Sequence, residues 1–121
     1  MATLKMVTID SGNARRDVRF WSQLLGWKIA HEQDDYGMLL GDSGIAIGFG
    51  TVADQRPPQW PNANGTKQFH FDLAVDDLDE AASACVDLGA TIPEHQPGET
   101  WRVLLDPSGH PFCLTLASNW T

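Results

Sequence analysis

From Lys5 to Asp10 apolar and polar positions alternate, with Val7 and Ile9 on one face and Met6, Thr8 and Asp10 on the other, which predicts a strand. Asn13 stands where an N-cap would, and Ala14, Val18, Trp21 and Leu25 recur at helical spacing until Gly26 supplies a stop. Arg15, Arg16 and Arg19 lie outside that stripe, so solvent is expected around them. Further strands are predicted from Trp27 to His31, Tyr36 to Leu40 and Ile45 to Gly50, the last two joined by the turn Asp42-Ser43-Gly44. Between Ala53 and Thr66, a density of Pro, Asn and Gly breaks regular structure and predicts a linker. The same order then returns: a strand from Gln68 to Val75, a helix capped near Asp76 or Asp77, and strands around Thr91, at Trp101 to Leu105 and at Pro111 to Leu116. That helix is expected to turn Leu78, Ala81, Cys85 and Leu88 inward before Gly89 ends it.

The repetition extends to residue identity. Leu39-Leu40-Gly41-Asp42-Ser43-Gly44 returns as Leu104-Leu105-Asp106-Pro107-Ser108-Gly109, an offset of 65 that also sets Tyr36 over Trp101. An internal duplication follows, with a β-α-β-β-β module in residues 1–52, a linker in 53–66 and a second module in 67–121. Modules this short bury too little surface alone, so they are expected to pair and enclose a cleft. The fold class is α+β.

If one sheet face receives the helix, the period of two assigns the other to the cleft. Phe69, Phe71, Leu73 and Val75 are then the helix-packing set of their strand, leaving His70, Asp72 and Ala74 for the cleft. The same reasoning gives the cleft Met6, Thr8 and Asp10, then Ala46, Gly48 and Gly50, and finally Cys113 and Thr115. Small residues at 46, 48 and 50 are expected to leave room for a ligand. Tyr36 and Trp101 open matching strands at the rim, where a planar molecule would stack. Trp60 and Trp120 suit a lid or a subunit interface.

Composition narrows the partners. Apolar residues make up 42% of the 121 positions and no run approaches membrane-spanning length. A net charge of −8 repels phosphate backbones and argues against nucleic acid. The start of the chain lacks a basic and apolar leader, which points to the cytoplasm, and there Cys85 and Cys113 are expected as free thiols. The acidic residues at 76, 77, 79 and 80 complement a helix dipole and need no catalytic role.

Three segments carry a family resemblance. They are Val7-Thr8-Ile9-Asp10 with Val18-Arg19-Phe20-Trp21-Ser22-Gln23-Leu24-Leu25-Gly26-Trp27, then Phe69 to Asp77, then Trp101 to Cys113. Together they resemble the vicinal oxygen chelate superfamily, in its glyoxalase-like branch. The resemblance implies two paired βαβββ modules forming a cupped eight-stranded mixed sheet, and a homodimer. In metal-dependent members it implies a divalent ion held by one residue from the first and one from the last strand of each module. Those positions are Met6, Gly48, His70 and Cys113. Methionine is a poor ligand for hard or borderline ions and glycine offers no side chain, so only His70 and Cys113 remain as metal ligands. Asp10, Asp72 or a shifted register could add an oxygen.

The expectation is therefore a cleft without a full metal site and no cofactor, binding a small apolar or aromatic molecule through Met6, Thr8, Tyr36, Gly48, His70, Asp72, Trp101 and Cys113. The alternatives are a glyoxalase-type lyase or isomerase using a divalent metal ion, or a metal-free enzyme with His70 as general base and Asp72 biasing its charge. Cys113 has no cation near it in sequence and is read as a small buried thiol.

Overall fold

The computed structural model describes residues 1–120 and divides into two compact units, one from Met1 to Arg56 and the other from Pro57 onward. The first unit runs β1 (Met6–Ser11), α1 (Ala14–Leu25), β2 (Lys28–Glu32), β3 (Tyr36–Leu40) and β4 (Ala46–Thr51). Its sheet has the order β1-β4-β3-β2, with β1 parallel to β4 and the other pairs antiparallel. The second unit runs β5 (Phe71–Val75), α2 (Leu78–Leu88), β6 (Trp101–Leu105), β7 (Pro111–Leu116) and a short 3-10 helix, Ala117–Trp120. Its sheet has the order β5-β7-β6, with β5 parallel to β7. The fold is α+β, as expected.

Capping residues set both helices. Asn13 accepts a hydrogen bond from the Arg16 amide at 3.0 Å and Asp77 does the same for Glu80 at 2.9 Å. Gly26 closes α1 in the left-handed region, at φ 72°. Thr51, at the end of β4, accepts from the Ala14 amide at 2.9 Å and donates to the Asp34 carbonyl at 2.6 Å, fixing where α1 starts over the sheet. Val18, Phe20, Trp21, Leu39, Ile47 and Phe49 form the core of this unit. Helix and sheet meet closely at Gly37, where an added methyl would stand 2.8 Å from Val18 Cβ. Arg15, Arg16 and Arg19 are not simply solvated: they pair with Asp34, Asp17 and Glu32.

Three expectations need correction. The strand from Gln68 begins only at Phe71, because Gln68 sits at φ 51° and breaks the extended run; Phe69, expected against the helix, is 89% exposed. Val7, expected in the core beside Ile9, is likewise exposed, at 41%. Eight strands become seven among the described residues, since the segment around Thr91 makes a single bridge to Leu105. Pro93 follows and lacks an amide donor, so the ladder stops. A side chain takes over: Gln96 accepts from the Val103 amide and donates to the Val103 carbonyl, both at 2.9 Å. One glutamine thus satisfies the residue that the eighth strand would have paired.

Candidate functional site

Register settles which side chains share a face. In the first unit Met6, Thr8 and Asp10 pair with Ala46, Gly48 and Gly50, which pair in turn with Leu40, Met38 and Tyr36. This is the helix-free face, because Gly37 and Leu39 between them meet α1 or its core. The space above Gly48, expected to be open, is filled. A methyl there would lie 3.1 Å from both Met6 Sδ and Thr8 Oγ1 and 3.5 Å from Tyr36 Oη. Tyr36 also donates to Met6 Sδ at 3.6 Å. Room exists one pair further along, at Gly50, where no atom comes within 4 Å of an added methyl.

In the second unit Asp72 pairs with Cys113 and Cys113 with Val103, while Ala74, Thr115 and Trp101 form the next row of the same face. Arg102, on the opposite face, reaches Asp79 of α2 at 3.0 Å, which identifies the helix side. His70, Asp72 and Cys113 converge: their donor atoms lie within 4.8 Å of one another, and His70 Nε2 is 3.2 Å from Asp72 Oδ1. Trp101 is half-buried with its indole laid over Gly98, where a methyl would come within 2.3 Å of the ring. The 3-10 helix brings Trp120 Nε1 to donate to Thr115 Oγ1 at 2.7 Å, so Trp120 borders this face.

Cys113 is half-buried. Burial first, then the negative charge of Asp72, push its thiol up to about 11; the hydrogen bond to Asp72 adds to the rise, and the positive charge of Lys67 opposes it. The cation absent from the neighbouring sequence is therefore supplied by Lys67, 46 positions earlier. Lys67 also lies 5.5 Å above the Trp60 ring, and Trp60 donates its indole N–H to the His95 carbonyl at 3.0 Å. Lys67, Trp60 and His95 were not legible as one group, since only loop geometry assembles them. Cys85 is buried, and burial alone raises its pKa.

A thiol this high is almost wholly protonated at neutral pH, and thiolate is the reacting form. The thiolate fraction of Cys113 at pH 7 is on the order of 100-fold below that of an ordinary thiol, and because the scarcer thiolate is also the stronger nucleophile, alkylation is expected on the order of 10-fold slower. Asp72→Asn removes the charge that disfavours a second anion, so it lowers the pKa and speeds the reaction. Iodoacetamide rates measured against pH in a Cys85→Ala background check this; an unchanged profile in Asp72→Asn would contradict it.

The repeat gives these two groups a common frame. Thr8 pairs with Gly48 in the first unit as Asp72 pairs with Cys113 in the second, and Met6, two residues before Thr8, corresponds to His70, which immediately precedes β5. The four-position metal set implied by the resemblance does not fit. Met6 Sδ already accepts from Tyr36, and Gly48 has neither a donor nor space for one.

An α+β chain of repeated strand-helix-strand units with its polar groups on the helix-free faces defines a glyoxalase-type scaffold. A family model for the glyoxalase-like domain matches residues 6–115, and the chain belongs to that family. No curated protein sequence matches it. Among solved structures it resembles a glyoxalase/bleomycin resistance protein/dioxygenase family enzyme from Burkholderia phytofirmans PsJN, at 18% identity and TM-score 0.70, covering 96% of this chain and 99% of that one. A glyoxalase/bleomycin resistance protein from Albidiferax ferrireducens T118 shares 18% identity at TM-score 0.62, covering 95% and 98%. The trypanothione-dependent glyoxalase I of Leishmania major shares 15% at TM-score 0.66, covering 99% and 90%. At such identities the likeness is one of fold. Among the described residues no helix is long and apolar enough to cross a membrane.

Proposed function

We propose that the chain binds a small apolar or aromatic molecule on the helix-free faces of its sheets, without the four-donor metal centre of metal-dependent relatives. The observation that carries this reading is the unequal pair of triplets: Met6, Thr8 and Gly48 offer no ionisable group where His70, Asp72 and Cys113 offer three. A ligand meeting the first face encounters a thioether, a hydroxyl, the Tyr36 ring and the open position at Gly50. On the second face Trp101 supplies a half-buried indole. Such surfaces hold planar apolar molecules by area and stacking. A homodimer in the cytoplasm completes the proposal, and the exposed Val7 and Phe69 are apolar surface that a second copy would cover. Light scattering is expected to give twice the chain mass.

A thermal-shift screen of small aromatic compounds tests the binding reading. Hits are expected to weaken by about 3- to 10-fold in Trp101→Ala, the worth of one aromatic contact. A broad screen without hits would sink it. The His70–Asp72 contact favours a second reading, in which Asp72 orients His70 as a general base. Turnover of a glyoxalase-type substrate that is lost in His70→Gln while ligand binding persists would replace binding with catalysis.

A further inference from the structure

We propose that the small molecule carries a carboxylate beside its aromatic ring, and that Lys67 pairs with the carboxylate while the ring lies against Trp101. The proposal rests on the small-molecule reading above and adds a charge to the shape of the ligand.

Lys67 stands apart from the other cations. Among the described residues, Arg15, Lys67 and Arg102 are the half-buried Lys and Arg side chains. Arg15 pairs with Asp34 and Arg102 with Asp79, whereas Lys67 makes no ion pair. Its ammonium lies 5.5 Å from the centre of the Trp60 ring. A ring face attracts the charge but leaves the three N–H donors for another acceptor.

The chain holds this lysine in place. Trp60 is pinned by its bond to the His95 carbonyl at 3.0 Å. The loop between Trp60 and Lys67 is closed by the Gln59 amide on Thr66 Oγ1 at 2.8 Å, by Asn64 on the Gln59 side chain at 2.8 Å, and by the Lys67 amide on Asn62 Oδ1 at 3.0 Å. On the other side, the Phe69 amide donates to the Lys67 carbonyl at 2.5 Å around Gln68, whose φ of 51° is a conformation that non-glycine residues rarely adopt. That turn takes Lys67 out of the alternation that leads into β5. Its charge is felt instead at Cys113, on the helix-free face.

The face orients the ligand. Trp101, Thr115 and Ala74 form one row, Val103, Cys113 and Asp72 the next, and the chain before β5 continues through His70 to Lys67. Rows on one face repeat every two residues, about 7 Å. A ring on Trp101 therefore sets an acid substituent toward the row where the Lys67 charge acts. Asp72 opposes an anion there, but it is engaged by His70 Nε2 at 3.2 Å and by the Cys113 thiol. The net charge of −8 acts from farther away and is screened beyond about 8 Å at physiological salt. One unpaired ammonium matches one negative charge. A dianion would keep an unmatched charge close to Asp72, so a carboxylate is favoured over a phosphate.

The test titrates the full chain with benzoate, 2-naphthoate and indole-3-carboxylate, each beside its primary amide, which keeps the ring and removes the charge. The acids are expected to bind about 5- to 10-fold more tightly than their amides, and about 1 M salt should remove most of that preference. Lys67→Gln should bring acid and amide together without weakening the amide, and Lys67→Arg should keep the preference, with circular dichroism confirming that each variant folds. Amides binding as tightly as their acids to the unaltered chain would overturn the carboxylate and leave the small-molecule reading standing. No binding by any acid or amide would remove both. An acid preference that survives in folded Lys67→Gln would overturn the role of Lys67, and phenyl phosphate binding more tightly than benzoate would overturn the choice of a single charge.

Discussion

Trp21→Ala is expected to destabilise the first unit by about 3–5 kcal/mol. Trp21 is 1% exposed and meets Phe20 edge to face, with ring centroids 5.3 Å apart. Its neighbours cannot close over the loss, because α1 is held at several points. Ala14 is tied to Thr51, Asp17 accepts from Ser11, and Gly37 leaves no gap between helix and sheet at Val18. A cavity that cannot collapse keeps its full cost. Small domains have about 5–15 kcal/mol in all, so a large share of the variant is expected to be unfolded in mild denaturant. Urea melts followed by far-ultraviolet circular dichroism check this. A change below about 1 kcal/mol would mean that the helix is not anchored as described, and Trp21→Phe is expected to fall between.

Gln96→Ala is expected to cost about 2–4 kcal/mol, although alanine is an ordinary residue for a loop. Val103 is 1% exposed, and its amide and carbonyl on that side are satisfied by the Gln96 side chain. Truncation strands a buried donor and a buried acceptor, each worth about 1–3 kcal/mol when left unmade. Gln96→Glu is a sharper probe. Its carboxylate can still accept from the amide but offers the carbonyl no donor, so its loss should be close to half. Hydrogen exchange at the Val103 amide adds a local reading: protection should fall in Gln96→Ala and persist in Gln96→Glu. Equal protection in all three would show that backbone pairing, and not this side chain, holds that edge.

Gln96 also shows where sequence reading stops. Alternation announced β7, whose Phe112 and Leu114 are buried, and the repeat announced β6. The segment around Thr91 looked like a strand by analogy with its duplicate. Whether it pairs depended on Pro93 and on a glutamine that periodicity does not register. Phe69 was misplaced for a similar reason. Its apolar neighbours fit the alternation, but the left-handed turn at Gln68 removes it from the sheet.

The candidate site divides in the same manner. The period of two set His70 beside Asp72, which meet at 3.2 Å although His70 lies just before β5, and Cys113 joins Asp72 once β7 is recognised as a parallel neighbour of β5. The filled space over Gly48 was not legible, because composition records a small residue and not the side chains leaning across it. Nor was the influence of Lys67 on Cys113, which a folded loop brings about.

Sequence by itself determined the α+β class, the places of both helices and the Asn13 cap of the first, because these depend on local spacing and backbone preference. Tertiary structure alone decided which loops end a ladder, which small residues mark open space, and which charges a thiol feels. Those outcomes depend on distances between residues remote in the chain, and no local pattern encodes them.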